Sequence, residues 1–158
     1  MTKKKSRQEL RKLAEAAVKG GNWIIRADRD GKSHGGFQWA EPGEWTEAPD
    51  WNTKAECGGG LHGQDKDHGG YVEGSRLVFC ETQGEHISLV DKVKVHKARI
   101  LLVNELPSNL RVLNDLKLSG TQITELPEGL SVGGYLYLRG TQIKTLPKDL
   151  KVKGDIYR

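Results

Sequence analysis

Apolar positions recur at helical spacing near the start of the chain, where Leu10, Leu13, Ala14, Ala17 and Val18 share one stripe. Ser6 and Glu9 form a capping-box pattern ahead of that stripe and Gly20-Gly21 ends it, so a short amphipathic helix is expected. From Asn22 the period changes to that of strands. Trp23 to Ala27 reads as one strand, with Asp28, Arg29, Asp30 and Gly31 as the turn that ends it. Arg76 to Thr82 and Ile87 to Val90 read as further strands, as does the run from Val93 through Val95 to Val103. Between them, Cys57 to Gly74 holds seven glycines in 18 residues and reads as an irregular loop. Phe37, Trp39, Trp45 and Trp51 are spaced among Gly, Pro and Glu. They either pin loops to a small core or offer a shelf on which a ring stacks.

Beyond residue 104 the chain matches itself at an offset of 20. Leu106-Pro107, Leu126-Pro127 and Leu146-Pro147 coincide, as do Leu110, Leu130 and Leu150, and Val112, Val132 and Val152. Leu116, Leu136 and Ile156 follow in phase, Leu118 matches Leu138, Ile123 matches Ile143, and Gly120-Thr121-Gln122 recurs as Gly140-Thr141-Gln142. Each turn is too short to bury its own apolar edge, so neighbouring turns must stack.

This segment resembles the short bacterial type of leucine-rich repeat, with a Leu-Pro pair before a Leu-x-Val stretch and a Leu-x-Leu strand. The resemblance implies one short parallel strand per turn, irregular backbone on the opposite side, and binding as the activity. With Leu116, Leu118, Leu136, Leu138 and Ile156 turned inward, the period of two sends the alternate residues outward. Asp115, Lys117, Tyr135, Tyr137, Arg139, Asp155 and Tyr157 are therefore the candidate partner-binding residues. The tyrosines and arginine are types enriched at binding hot spots, and cross-strand tyrosines also stabilise a ladder in their own right. The third turn reaches Arg158 without a polar cap. Unless the natural chain continues, its strand edge is expected to be covered, with a homodimer through residues 150–158 as the favoured arrangement.

The fold class expected is thus α+β and mostly β. A basic amphipathic arm spans 1–21, a glycine- and Trp-rich β domain 22–104, and the repeat stack 105–158. Composition changes this picture little. At 158 residues one compact domain with an appendage is the expected content, and 35% hydrophobic residues with 20 glycines imply frequent turns. Charge is more informative. The net +4 is concentrated at the start: residues 1–20 carry seven basic against two acidic groups, a net of +5, which leaves −1 for the rest. A fold-wide basic face that tracks phosphates is therefore not expected. Lys3, Lys4, Lys5, Arg7, Arg11 and Lys12 are the candidates for contact with nucleic acid or an acidic partner, beside the plainer reading of a docked helix with its cations in water. No apolar run is long enough to span a membrane and no signal segment follows the charged start, so a cytoplasmic protein is expected, with no membrane partner.

Cys57, His62, His68 and Cys80 carry ligand-type side chains around the glycine loop. Their spacing lacks the short Cys-x2-Cys or His-x3-His bites, so a zinc site and a set of ordinary buried and solvent-facing residues both stay open, with no other cofactor expected. A disulfide is not expected without an export signal. The tract Glu56-Cys57-Gly58-Gly59-Gly60-Leu61-His62, with Ala48-Pro49-Asp50-Trp51 before it and Asp91 to Val95 after it, is similar to an uncharacterised domain of phage and bacterial proteins. The likeness spans residues 22–103. It implies a phage or mobile-element protein that binds a host protein or nucleoprotein in the host cytoplasm, in the manner of a host-defence inhibitor.

No hydrolase elbow or phosphate loop is present, and no catalytic residue is assigned. Arg26, His62 and Glu81 or Glu85 loosely resemble the set that holds a nicotinamide nucleotide in ADP-ribosyltransferase folds. That resemblance implies a small enzyme or nucleotide binder as the alternative, although the family's second, seryl or aromatic motif has no counterpart here.

Overall fold

The computed structural model describes residues 4–32, 37–69 and 74–158, and Lys3 lies outside them. The elements run α1 (Arg7–Gly20), β1 (Trp23–Asp28), β2 (Trp45–Glu47), β3 (Leu61–Gly63), β4 (Arg76–Gln83), β5 (Ile87–Ser88), β6 (Val93–Val95) and β7 (Lys97–Val103). Six two-residue strands follow: β8 (Arg111–Val112), β9 (Leu116–Lys117), β10 (Ser131–Val132), β11 (Leu136–Tyr137), β12 (Lys151–Val152) and β13 (Ile156–Tyr157). The chain is mostly β, with one helix among the described residues and several sheets, two of them parallel. That helix is too short to cross a membrane.

Helix α1 starts where Ser6 Oγ accepts the Glu9 amide at 3.2 Å, and it stops at Gly21, whose φ of 72° is readily adopted by glycine. Ala14 and Ala17 are buried against β4 and β7. Their small side chains let the helix lie close to the sheet.

The central sheet is antiparallel, in the order β1-β4-β7-β2. Both of its faces are buried, which is why Leu77-Val78-Phe79-Cys80 in β4 reads as an unbroken apolar run. Leu77 and Phe79 join Trp23, Ile25 and Leu101 on the face toward α1 and the repeats. Val78 and Cys80 join Ile24, Trp39 and Ile100 on the other face. A second antiparallel sheet, β3-β6-β5, supplies Leu61, Val93 and Val95 to that second face. Trp23 stacks on Phe79 with ring centroids 5.6 Å apart, and Trp39 is buried with the second cluster. Trp45 and Trp51 are only half-buried.

Several sequence expectations change, beginning with the irregular loop read from Cys57 to Gly74, within which Leu61–Gly63 forms β3 by pairing with β6. The apolar run from Val93 to Val103 is not one strand, because it divides at His96 into β6 and β7, which belong to different sheets. Trp51 stacks on the His96 ring at 5.1 Å, and the Ala48 amide donates to the His96 carbonyl. Ile87 to Val90 shortens to Ile87–Ser88, with Val90 fully exposed in the turn. Asp28 is more than a turn residue: it is buried, and its carboxylate takes two hydrogen bonds from Arg76 at 2.8 Å each.

The repeats stack in register at the offset of 20. Leu116, Leu136 and Ile156 align in one parallel ladder and Val112, Val132 and Val152 in another. One strand per turn was expected, but each turn supplies two. The Leu-x-Val stretch also pairs, because amides such as Ser131 N and Gly133 N reach the carbonyls of Leu110 and Val112 in the turn before. At the corner between the ladders, a Cβ on Gly133 would lie 2.4 Å from the Leu113 carbonyl oxygen, so neighbouring turns meet there only without a side chain. Ile123, Leu126, Leu130, Val132 and Leu136 of one turn are buried, whereas their counterparts Ile143, Leu146, Leu150, Val152 and Ile156 are only half-buried.

A single apolar cluster joins α1, one face of the central sheet and the repeats, from Ala14 through Phe79 and Leu101 to Leu116 and Leu138. Replacing Leu116 by Ala is expected to cost about 2–5 kcal/mol of stability, as for buried leucines generally. All four tryptophans precede residue 52, so tryptophan fluorescence in a denaturant titration reports on the sheet alone. The shared core predicts that Leu116→Ala lowers that midpoint, and an unmoved midpoint would show that the repeats unfold independently.

Candidate functional site

The register of the repeats sets one tyrosine above another. Tyr137 and Tyr157 are partners across β11 and β13, and their rings stack with centroids 5.0 Å apart and planes 18° apart. This matches the ladder spacing of about 4.8 Å. Tyr135, one position before β11, leans on both: its ring lies 5.8 Å from Tyr157 and 6.5 Å from Tyr137. The Asp115 carboxylate accepts the Tyr135 amide at 2.8 Å, and Lys117 Nζ stands 6.0 Å from the Tyr137 ring. Arg139 and Asp155 are exposed on the same run of alternating positions. Limited desolvation, then Asp115, Tyr157 and Tyr135, raise the Tyr137 hydroxyl above the ordinary tyrosine range, so it stays a neutral donor at physiological pH. The seven residues thus form an aromatic cluster with charge of both signs at its rim.

The basic arm is partly committed within the molecule. Arg7 Nη2 and Arg11 Nε bind the two carboxylate oxygens of Glu105 at 3.1 and 2.9 Å, tying α1 to the start of the repeats. Lys4 and Lys12 remain exposed and Lys5 half-buried. Sequence reading gave Glu105 no role, because its partners sit more than 90 residues away.

The second ladder carries a feature the sequence reading also missed. Asn109, Arg111, Gly129, Ser131, Asp149 and Lys151 line an open groove of about 500 Å³. Arg111, Ser131 and Lys151 lie one above another because β8, β10 and β12 are in register.

The structure does not gather the sulfur and imidazole groups. Cys57 is exposed and Cys80 is buried in β4, both as free thiols. Among the described residues no three or more His, Cys, Asp or Glu side chains are placed to hold a metal ion. Burial pushes the Cys80 thiol up to about 12, which keeps it protonated. His68 instead belongs to a network around Asp65. His68 Nδ1 lies 2.9 Å from Asp65 Oδ1, His86 Nδ1 lies 3.0 Å from Oδ2, and Thr82 Oγ1 lies 2.8 Å from His86 Nε2. The order of hydroxyl, imidazole and carboxylate is that of a nucleophilic triad, but Thr82 is buried and out of a substrate's reach. The network ties the loop after β3 to the end of β4.

Lys94 was also not singled out in the sequence. It is fully buried opposite His62, and its Nζ donates to Asn52 Oδ1 at 2.9 Å and the Gly58 carbonyl at 3.1 Å, which holds the glycine loop down. Arg26 and His62 do come together, with Arg26 Nη1 donating to the His62 carbonyl at 3.2 Å. Glu81 is taken up elsewhere, accepting from Arg99 Nε and Nη2 at 3.0 and 2.8 Å, and Glu85 is exposed.

No family model, curated protein or solved structure matches this chain.

Burial opposes ionisation of Asp65, yet hydrogen bonds from His86, His68 and the Asp67 amide outweigh it and take the carboxyl from 3.8 to about 2. A depressed carboxyl stabilises the fold above its unfolded value and ceases to do so as the pH falls through its folded one. The window is therefore pH 4 down to about 2. Asp65→Asn is expected to cost about 2 kcal/mol at pH 7, and its melting curve should converge on that of the unmodified chain across the window. A gap that stays constant down to pH 2 would show that the ionised carboxylate is not the source.

Proposed function

We propose that this protein is a binding protein that engages another protein through the tyrosine-bearing face of its repeat stack. The observation that carries this reading is the aromatic cluster of Tyr135, Tyr137 and Tyr157, surface-borne and flanked by Lys117 and by an Arg139 side chain without a partner among the described residues. Tyrosine supplies a large contact area at small entropic cost and arginine supplies several directed donors, which makes such clusters efficient recognition sites. The rings already hold one another, so little ordering remains on binding.

The 20-residue register and the Leu-Pro phase support reading the stack as leucine-rich-type repeats. The proposal of a phage or mobile-element origin rests on the sequence resemblance of residues 22–103 alone. On that reading the partner is a host protein or nucleoprotein, and obstruction of host defence is the purpose. The commitment of Arg7 and Arg11 to Glu105 favours a docked helix over a nucleic-acid arm. The nucleotide-holding alternative loses ground because Glu81 is occupied by Arg99.

We propose as a second contact that two copies pair edge to edge through residues 150–158, where β12 and β13 are the edge strands of their sheets among the described residues. Sedimentation should then show a concentration-dependent dimer that Ile156→Lys converts to monomer, and a monomer at all concentrations would remove this contact.

Changing Tyr135, Tyr137 and Arg139 together to Ala is expected to weaken partner binding by about 100-fold or more. The same change should cost about 1–2 kcal/mol of stability through the lost ring contacts. The measurement is quantitative affinity enrichment from the cells in which the protein acts, followed by Kd determination with the purified partner. A partner bound equally by the triple variant would overturn the reading.

A further inference from the structure

Four buried side-chain polar atoms among the described residues have no hydrogen-bond partner: Arg26 Nε, Trp39 Nε1, His62 Nε2 and Gln64 Oε1. Buried polar groups are nearly always satisfied, so several such atoms close together need a reason. The first three belong to residues in contact. Arg26 Cζ lies 4.4 Å above the Trp39 ring, and Arg26 Nη1 bonds the His62 carbonyl. Gln64 adjoins them, paired with Ile25, while its amide nitrogen is spent on the Lys117 carbonyl.

We propose that Arg26, Trp39 and His62 form a site for a small oxyanion, a phosphate or carboxylate group bound at the seam between β1 and β3. Two of the three orphan atoms, Arg26 Nε and Trp39 Nε1, can only donate, so the missing partner must present acceptor atoms. Charge narrows the choice further. The nearest carboxylate along the strand, Asp28, is committed to Arg76 and to the Gly31 amide, which leaves the Arg26 guanidinium without a hydrogen-bonded counter-ion among the described residues. Desolvation lowers the Arg26 pKa, with Arg76 adding to the effect and Cys80 and Asp28 opposing it. Arg26 is half-buried with its Nε shut off from water, and a cation placed so is stabilised far more by an anion than by a neutral carbonyl.

The surroundings point the same way. Burial first, then Lys92, Arg26 and Lys94, lower the His62 pKa, so the imidazole is neutral at physiological pH and sits in a positive field. Asp50 opposes that field, and its carboxylate is held by the Gly59 amide at 3.3 Å. A neutral imidazole can either donate from Nε2 to an anion or accept from a P–OH, which suits phosphate as well as carboxylate. The backbone makes the site possible. A Cβ on Gly63 would lie 2.9 Å from the Ile25 carbonyl oxygen, so only glycine lets β3 come close enough for the His62 carbonyl to fix Arg26. Trp39 holds the guanidinium plane from the other side.

The test uses the full chain and the indole N–H signals of its four tryptophans, with the Trp39 signal identified by Trp39→Phe. Inorganic phosphate and acetate are titrated separately at ionic strength held constant with chloride. The proposal expects one of them to shift the Trp39 signal saturably, and the two arms tell phosphate from carboxylate. Affinity should fall about 100-fold in Arg26→Met and about 10-fold in Trp39→Phe, which keeps the ring and loses one donor to a charged ligand. Calorimetry measures both, and Lys12→Ala should leave affinity unchanged. If Arg26→Met does not fold, His62→Gln and Trp39→Phe carry the comparison. The proposal is overturned if neither anion moves the Trp39 signal beyond the chloride control, or if Arg26→Met binds as tightly as the unmodified chain.

Discussion

Everything in this molecule depends on the burial of both faces of one short sheet. The run Leu77-Val78-Phe79-Cys80 in β4 sends alternate side chains into two apolar clusters, so neither face can be left open to water. The helix and the repeats cover one face, and β3, β5 and β6 cover the other. The covering layers are small: strands of two and three residues, and a helix that packs through Ala14 and Ala17 with the partly buried Leu10, Leu13 and Val18 beside them. None of them has enough apolar surface to stand alone.

That dependence also anchors the repeats. Solenoid turns stabilise one another through nearest neighbours, and the first turn needs a base. Here the base is the face of β1, β4 and β7, onto which Leu106, Leu110 and Leu116 pack in the same cluster as Phe79 and Leu101. Protection then decays along the stack, from the buried Leu136 to the half-buried Ile156. The tyrosine cluster sits toward the outer end of this gradient. The Arg26 site belongs to the opposite face of the sheet, under a glycine loop pinned by Lys94. The surface proposed for a protein partner and the one proposed for a small anion thus lie on opposite sides of the sheet.

Short-range features were legible in the sequence. The capping box at Ser6, the helical stripe, the break at Gly21, the strand at Trp23 and the inward and outward alternation of the repeats all follow from periods of 3.6 and 2. The tyrosine face followed too, because a strict 20-residue offset places Tyr137 over Tyr157 whatever else the chain does. Illegible were the contacts that join distant segments. Nothing near His96 announces that one apolar run will serve two sheets, because each half is an acceptable strand and only the packing partners differ. Likewise Asp65 meets His86, and Glu105 meets Arg7 and Arg11, only after the chain has folded back on itself.

The sequence by itself therefore determined the helix, the repeat register and which residues of the repeats face water, because these depend on spacing within a few residues or at one fixed offset. The tertiary structure alone decided that each turn contributes two strands, and that Cys57 and Cys80 lie in different environments. It alone decided that the half-buried Arg26 and His62 meet beside the buried Trp39 and that each of the three keeps one buried polar atom without a hydrogen bond among the described residues. Such outcomes depend on which surfaces compete to bury the same apolar area, a matter of the whole chain's shape rather than of any local pattern.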